Sequence, residues 1–290
     1  MAVEEGRVGT FAERVARKRF ATNAGKYLLR RILFPLALFV PVGYFLPKLA
    51  LFYAVCGLYD ISRNHGLNAS TFRRYFIGNG FLTWVISPIN VLLDLLSLPY
   101  INKGVYRLED LPADYQEEVK RLIETAEREN LVARLEERSK EFPRTMIFFK
   151  WYGVDVDTFL DIPAFRHDWK YIQTIGVSVF NKKVSTSKHF GFLRASLRLL
   201  YNLNDITDPS AYITVGNKTN YWCENKLFIF DDTLLHESIN ETDQTRYCLF
   251  VDIIRPSPFP WIMRGVITLV RLTSRSLNWI FYKHWKVINR

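Results

Sequence analysis

Phe230-Asp231-Asp232-Thr233-Leu234-Leu235-His236-Glu237-Ser238, followed by Arg246 ten residues after the histidine, is the stretch whose reading decides the fold. A short apolar run stops at two acids, a turn presents an imidazole, and a strand returns as Arg246-Tyr247-Cys248-Leu249-Phe250-Val251-Asp252. Period-two alternation puts Arg246 on one face of that strand with Cys248, Phe250 and Asp252. An arginine among such neighbours needs an anion. Either a protein acid such as Asp252 or Asp205 supplies it, or a bound dicarboxylate does, which suits the two-pronged guanidinium. Arg198, in Ser196-Leu197-Arg198-Leu199-Leu200, is trapped between apolar neighbours in the same way.

Working outward, short apolar or alternating runs recur at 145–152, 176–181, 195–203, 211–215, 226–230 and 246–254. Strands at this spacing predict a mainly β domain over 142–256, an antiparallel sandwich or barrel. Helical interruptions are expected at 155–160 and 164–173. Of the five histidines, His65 falls in a turn, His167 among the charges of a helix and His284 on a basic tail. His189 and His236 remain, both at strand–turn junctions of the β domain.

The flanks have a different character. Residues 1–31 form a basic arm, and 32–59 carry Lys48 as their one charge. Such an apolar run after basic residues predicts a membrane segment. Pro35, Pro41, Gly43 and Pro47 interrupt it, so a hairpin or a kinked span is expected, the alternative being a buried helical hairpin. Residues 60–141 are read as an interfacial and helical preface. Within it, 81–100 has Pro88 and Asp94 and is expected to lie at the interface or to cover the β domain. The charged stretch 111–140 has Val119, Leu122, Ile123 and Ala126 at helical spacing, the mark of an amphipathic helix. Residues 257–290 contain no acid but do contain Arg264, Arg271, Arg275, Lys283, Lys286 and Arg290. They are expected to form a basic amphipathic helix, either on an anionic membrane surface or packed on the protein.

Composition points the same way. The chain has 22 Phe, 15 Tyr and 7 Trp and a formal charge of +10, with basic residues beside apolar runs. That distribution favours an anionic membrane surface and argues against nucleic acid. Cys56, Cys223 and Cys248 show no metal or disulfide spacing, which places the chain in a reducing compartment facing the cytoplasm.

The order Ser178, His189-Phe190-Gly191, Arg198, Phe230-Asp231-Asp232, His236, Arg246, Asp252 resembles the aspartyl/asparaginyl β-hydroxylase superfamily of iron(II)- and 2-oxoglutarate-dependent oxygenases. Ser87-Pro88-Ile89-Asn90-Val91, Lys150-Trp151-Tyr152-Gly153 and Arg255-Pro256 bring it nearer to the membrane-bound bacterial hydroxylases of lipid A or ornithine-lipid acyl chains. The resemblance covers about 82–262. It implies a double-stranded β-helix, a jelly-roll of cupin type, with flanking helices, an N-terminal membrane segment and a site at the inner-membrane surface facing the cytoplasm. It implies His189 and His236 as Fe(II) ligands, Arg246 with Ser178 on the distal carboxylate of 2-oxoglutarate, and Arg198 near the metal-proximal carboxylate. Dioxygen is the other co-substrate, and the substrate is a membrane lipid acyl chain, hydroxylated at C2. Two departures stand out. Gly191 replaces the acid that lipid hydroxylases carry two residues after the first histidine, with Asp232 expected to accept from a water that fills the position in its place. Leu200 stands where the family often has histidine. A peptidyl aspartate/asparagine β-hydroxylase and a catalytically inactive lipid-binding homologue are the alternatives; oligomeric state is left open.

Overall fold

Eleven strands and eight helices are described by a computed structural model covering residues 33–274 and 285–289. The strands are β1 (Val105–Tyr106), β2 (Arg144–Trp151), β3 (Val154–Asp155), β4 (Ile172–Phe180), β5 (Ser196–Asn202), β6 (Ala211–Val215), β7 (Lys218–Tyr221), β8 (Leu227–Phe230), β9 (His236–Asn240), β10 (Arg246–Ile254) and β11 (Lys286–Val287). The helices are α1 (Phe34–Phe45), α2 (Pro47–Ser62), α3 (Ala69–Ile77), α4 (Phe81–Val85), α5 (Ser87–Leu96), α6 (Ala113–Arg128), α7 (Leu131–Ser139) and α8 (Pro260–Ser274).

The larger sheet runs β1-β8-β5-β10-β4-β2-β11, with β3 on β2, and the smaller runs β7-β6-β9. All pairings are antiparallel except that of β11 with β2. Alternation along β10 assigns its two faces. Tyr247, Leu249, Val251 and Ile253 join Val119, Leu122 and Leu135 of α6 and α7 in one core. Cys248 and Phe250 face the other way, packing with Ile213 and Val215 of the smaller sheet. Each such side chain taken from water contributes about 1.5–3 kcal/mol, and a one-residue slip would turn the whole set outward. The result is a two-sheet jelly-roll with its cup between the sheets and helices on the outer face.

Across β10 the inward residues pair by register. Arg246 lies opposite Phe180 and Cys248 opposite Ser178 on β4, while Phe250 lies opposite Leu200 and Asp252 opposite Arg198 on β5. The six expected strands are all present. Residues 155–160 are extended rather than helical: Lys150 pairs with Asp155 across the β2–β3 ladder, and Thr158 Oγ1 accepts from Leu160 N–H at 3.0 Å. Of 164–173, only a short 3-10 turn at Pro163–Arg166 is helical, because Ile172 and Gln173 already belong to β4. At Tyr152-Gly153 both residues take positive φ, 44° and 81°, which closes the β2–β3 hairpin in the manner of a tight turn.

The apolar run at 32–59 is broken at Leu46, just before Pro47. Helices of 12 and 16 residues result. Among the described residues no helix is long and apolar enough to cross a membrane. The run thus forms two helices that meet at Leu46, and α2 exposes Leu49, Leu51, Phe52, Val55 and Leu58. The α4–α5 segment covers the β domain, as one of its two readings held. Thr83 Oγ1 donates to Gly191 O at 2.8 Å, and Asn90, fully buried, donates to Phe192 O at 3.0 Å and accepts from Arg194 N–H at 3.0 Å. At the C-terminal end α8 packs Met263 and Ile267 against Leu93, Leu193 and Ile254. The expected helix does not continue to the end: Lys286 and Val287 pair with β2, and Ile288 is buried in the main core. Residues 1–32, 275–284 and 290, with the basic arm, Arg275, Lys283 and His284, lie outside the described residues.

A buried charge network fastens the helices to the β domain. Arg194 is fully buried and meets Asp60 of α2, Asp94 of α5 at 2.7 Å and Asp231 at 3.4 Å. Arg63 holds Asp231 at 2.7 Å and Arg255 holds Asp94 at 2.6 Å. Burial alone would pull the Arg194 guanidinium down, but the three carboxylates hold it above its usual value. Burial would raise Asp231, yet Arg63, Arg194 and Arg255 hold it far below the usual carboxylate range. Asp231→Asn leaves buried guanidinium groups short of a counter-charge and should cost about 3–5 kcal/mol near neutral pH. Because the folded carboxyl is depressed, its contribution is full above the unfolded pKa of about 3.9 and is lost as pH falls below it. Urea midpoints of the two proteins should therefore differ at pH 7 and converge as the medium is acidified below about 4.

Candidate active site

The turn after β8 separates its two acids. Asp231 points into the charge network and Asp232 lies beside the histidines. His236 opens β9, and its backbone exchanges two hydrogen bonds with that of His189, both 2.9 Å. The imidazole centroids are 4.1 Å apart. His189 Nδ1 lies 2.7 Å from Ser187 O, and His236 Nδ1 lies 2.8 Å from Leu234 O. A carbonyl oxygen only accepts, so each Nδ1 carries a proton, and Nε2 is the nitrogen of each ring left to face the cup. Burial, then the neighbouring His189, pushes His236 well below its usual pKa and keeps it neutral. This is the form in which imidazole binds metal, with the ring oriented by its other nitrogen.

His236 Nε2 faces Asp232 Oδ1 at 3.4 Å. With both atoms acting as acceptors, a cation between or beside them is the fitting partner. Asp232 is also held by Arg198, whose Nη1 donates to Oδ1 at 3.1 Å. Among the described residues no three His, Cys, Asp or Glu groups form a metal site by themselves. The donors at hand are therefore two imidazoles and one carboxylate shared with an arginine. Imidazole and carboxylate donors suit iron(II) and leave positions for small-molecule ligands.

Arg246 stands across the cup with 1% exposure. Its guanidinium lies 4.3 Å from the Phe180 ring centroid and 5.0 Å from that of Trp222, and Nη2 donates to Ser238 Oγ at 2.7 Å. Nε and Nη1 have no partner among the described residues. Burial lowers its pKa, and the nearby Cys248 offsets that only in part. Two orphaned N–H groups on a buried guanidinium are a cradle for an external carboxylate. Arg198 differs: Nε donates to Asp252 Oδ1 at 2.7 Å, and the cation sits 4.0 Å over Phe250. Burial pushes the Asp252 carboxyl up despite that arginine.

Ser178, His189, Arg198, His236 and Arg246 all line one cavity of about 60 Å³. Ser178 Oγ lies 3.3 Å from Cys248 O. Motifs spread over three strands and two turns thus converge on a pair of imidazoles facing an unpartnered arginine. Residues 116–256 match the aspartyl/asparaginyl β-hydroxylase family. The resemblance read from the motifs is borne out over the β domain.

A curated relative, the ornithine lipid ester-linked acyl 2-hydroxylase of Rhizobium tropici, is 29% identical over 147 residues, covering 46% of this chain and 51% of the relative. The chain thus spans about half the length of that protein. Among solved structures, a 2OG-Fe(II) oxygenase family oxidoreductase from Burkholderia pseudomallei is 10% identical, with a TM-score of 0.29 over 43% of this chain and 79% of that one. An oxalate oxidase bound to glycolate is also 10% identical, with a TM-score of 0.28 over 48% and 75%. Scores this low carry no argument, and the fold rests on the sheets described above.

Within this β-hydroxylase frame, Gly191 has a local cause. A Cβ built there would collide with the Asp232 carboxylate and come within 2.7 Å of Asp232 O. The acid expected two residues after the first histidine in lipid hydroxylases has no room, because Asp232 occupies that space from the facing turn. Leu200 fills the cup wall as an apolar residue. Two contributors were absent from the sequence reading. Ser238, which holds Arg246, is two residues beyond His236 on β9, where His236, Ser238 and Asn240 are buried in alternation. That period-two pattern was the available signal. Trp285 packs edge-on to Phe180 at 5.1 Å and lines the cavity.

Proposed function

We propose that this chain is an iron(II)- and 2-oxoglutarate-dependent dioxygenase that hydroxylates, at C2, a fatty acyl chain of a membrane lipid of the lipid A or ornithine-lipid kind. The observation that carries it is the pairing of two imidazoles, each held at Nδ1 by a carbonyl, with Arg246, whose buried Nε and Nη1 lack partners among the described residues. His189 and His236 would hold the iron, with Asp232 beside them. Arg246 would take the distal carboxylate of 2-oxoglutarate, with Ser178 and Ser238 alongside, and Arg198 would lie near the metal-side carboxylate. Bound together, these groups supply oxidation of a C–H bond by dioxygen, with 2-oxoglutarate leaving as succinate and carbon dioxide.

The choice of lipid is supported by the relative that acts on ornithine-lipid acyl chains and by the exposed apolar faces of α2 and α5, the latter with Ile89, Leu92 and Leu95. Such faces suit an amphiphile met at the inner-membrane surface, with the excess of basic residues drawn to its anionic lipids. Purified protein given 2-oxoglutarate, membrane lipid and iron(II) should form succinate, and omission of iron should stop it. Succinate formation that stays at background with all components present would reject the dioxygenase reading and leave an inactive lipid-binding homologue.

A further inference from the structure

A second cavity, larger than the cup, lies elsewhere on the molecule. A groove of about 840 Å³ lies between the loop and strand around β1, the β6–β7 turn and the chain just after α2. Its chemistry is polar. The side chains of Lys218, His65 and Asn217 line it and make no hydrogen bond or ion pair among the described residues. Arg107 adds a second exposed cation, and Asn220 and Asn225 add amides. Two further cations are already committed, Lys103 to Asp110 at 2.6 Å and Arg63 to Asp231 at 2.7 Å. Glu109 is the acid on the wall with no partner among the described residues. Exposed cations, an imidazole and amides together form a surface for an oxyanion that also carries hydrogen-bonding groups.

The groove is tied to the cup by one turn. Leu234 lines the groove, while its carbonyl accepts from His236 Nδ1 on the cup side. Arg63, on the groove wall, is the C-terminal cap of α2, whose outer face is apolar. Polar groove, apolar helix and reactive cup therefore adjoin in the arrangement that an amphiphile requires.

We propose that this groove binds the phosphate- or carboxylate-bearing headgroup of the lipid whose acyl chain is presented to the cup. The assignment rests on the lipid reading above for its source; the shared chemistry is an oxyanion with hydrogen-bonding substituents. The test uses the full chain and two probes: dihexanoyl phosphatidic acid, a short-chain lipid below its micellar concentration, and glycerol 3-phosphate, the free anion. The lipid probe should bind saturably. The double variant Arg107→Ala/Lys218→Ala, both exposed and outside the cup, should weaken it about tenfold or more, as loss of charge-assisted hydrogen bonds does. The thermal midpoint should not move, and His236→Ala should leave the binding intact. Lipid binding indifferent to the double variant, or no binding, overturns the proposal. Glycerol 3-phosphate binding as tightly, with the same dependence, overturns it in favour of a soluble anion. If no lipid is hydroxylated but the lipid probe still binds through Arg107 and Lys218, the headgroup site stands and the hydroxylase reading alone falls.

Discussion

Arg246→Met is expected to abolish 2-oxoglutarate binding while leaving the unliganded protein at least as stable as before. The side chain is fully buried and, among the described residues, is bonded only through Nη2 and carries two N–H groups without acceptors. Each unsatisfied buried donor costs about 1–3 kcal/mol, so an apolar replacement of similar length relieves a standing penalty. Its loss removes a bidentate, charge-assisted contact to the co-substrate, worth about 2–5 kcal/mol in a desolvated site. That corresponds to a rise of about 30- to several-thousand-fold in the dissociation constant. Calorimetric titration with 2-oxoglutarate and thermal melts of the free protein check both halves. A purely structural arginine would give the opposite pattern, a large loss of stability with co-substrate binding preserved in the surviving fold.

His236→Ala is expected to reduce iron(II) affinity by more than about 100-fold, beyond what outer partners of a metal ligand alone confer. The backbone pair between His189 and His236 uses main-chain atoms and is retained by alanine. The fold should therefore survive, and the effect should appear directly in metal titrations without turnover. His189 loses its neighbour in the same variant, yet its Nδ1 stays bonded to Ser187 O. An affinity unchanged within threefold would remove His236 from the metal site.

The β domain was readable because its signals are local. Arg246 to Asp252 needs only the alternation of seven residues to show which side chains face inward, and the structure places Tyr247 and Leu249 in one core and Cys248 and Phe250 in the other. Strand β9 escaped notice because His-Glu-Ser-Ile-Asn has little apolar content, and its burial comes from the cup it lines. The charge network was out of reach for a different reason. Arg194 and Asp60 are 134 residues apart, and nothing local distinguishes either from a surface charge. Only the fold brings α2, α5 and the turn at Asp231 together. Arg198 and Arg246 looked alike in sequence, each trapped among apolar residues. The structure separates them, because Arg198 is answered by Asp252 and Asp232 while Arg246 has no acid. The apolar run at 32–59 was legible as an interrupted one, and Pro47 divides it into helices of 12 and 16 residues.

The site and the helices form one unit through the turn 231–236. Asp231 anchors that turn to Arg63 and Arg194, so the helices with exposed apolar faces also hold His236 and Asp232 in place. On the proposed reading, contact with lipid and the position of the metal donors would be set by the same few residues.

The central claim is hydroxylation of a lipid acyl chain, and the most direct measurement is mass spectrometry of total lipids from cells expressing either the unaltered chain or His236→Ala. One lipid class should gain a single oxygen atom on an acyl chain, at C2 by fragmentation, only with the unaltered chain. Lipid profiles with no class differing by one oxygen between the two would contradict it.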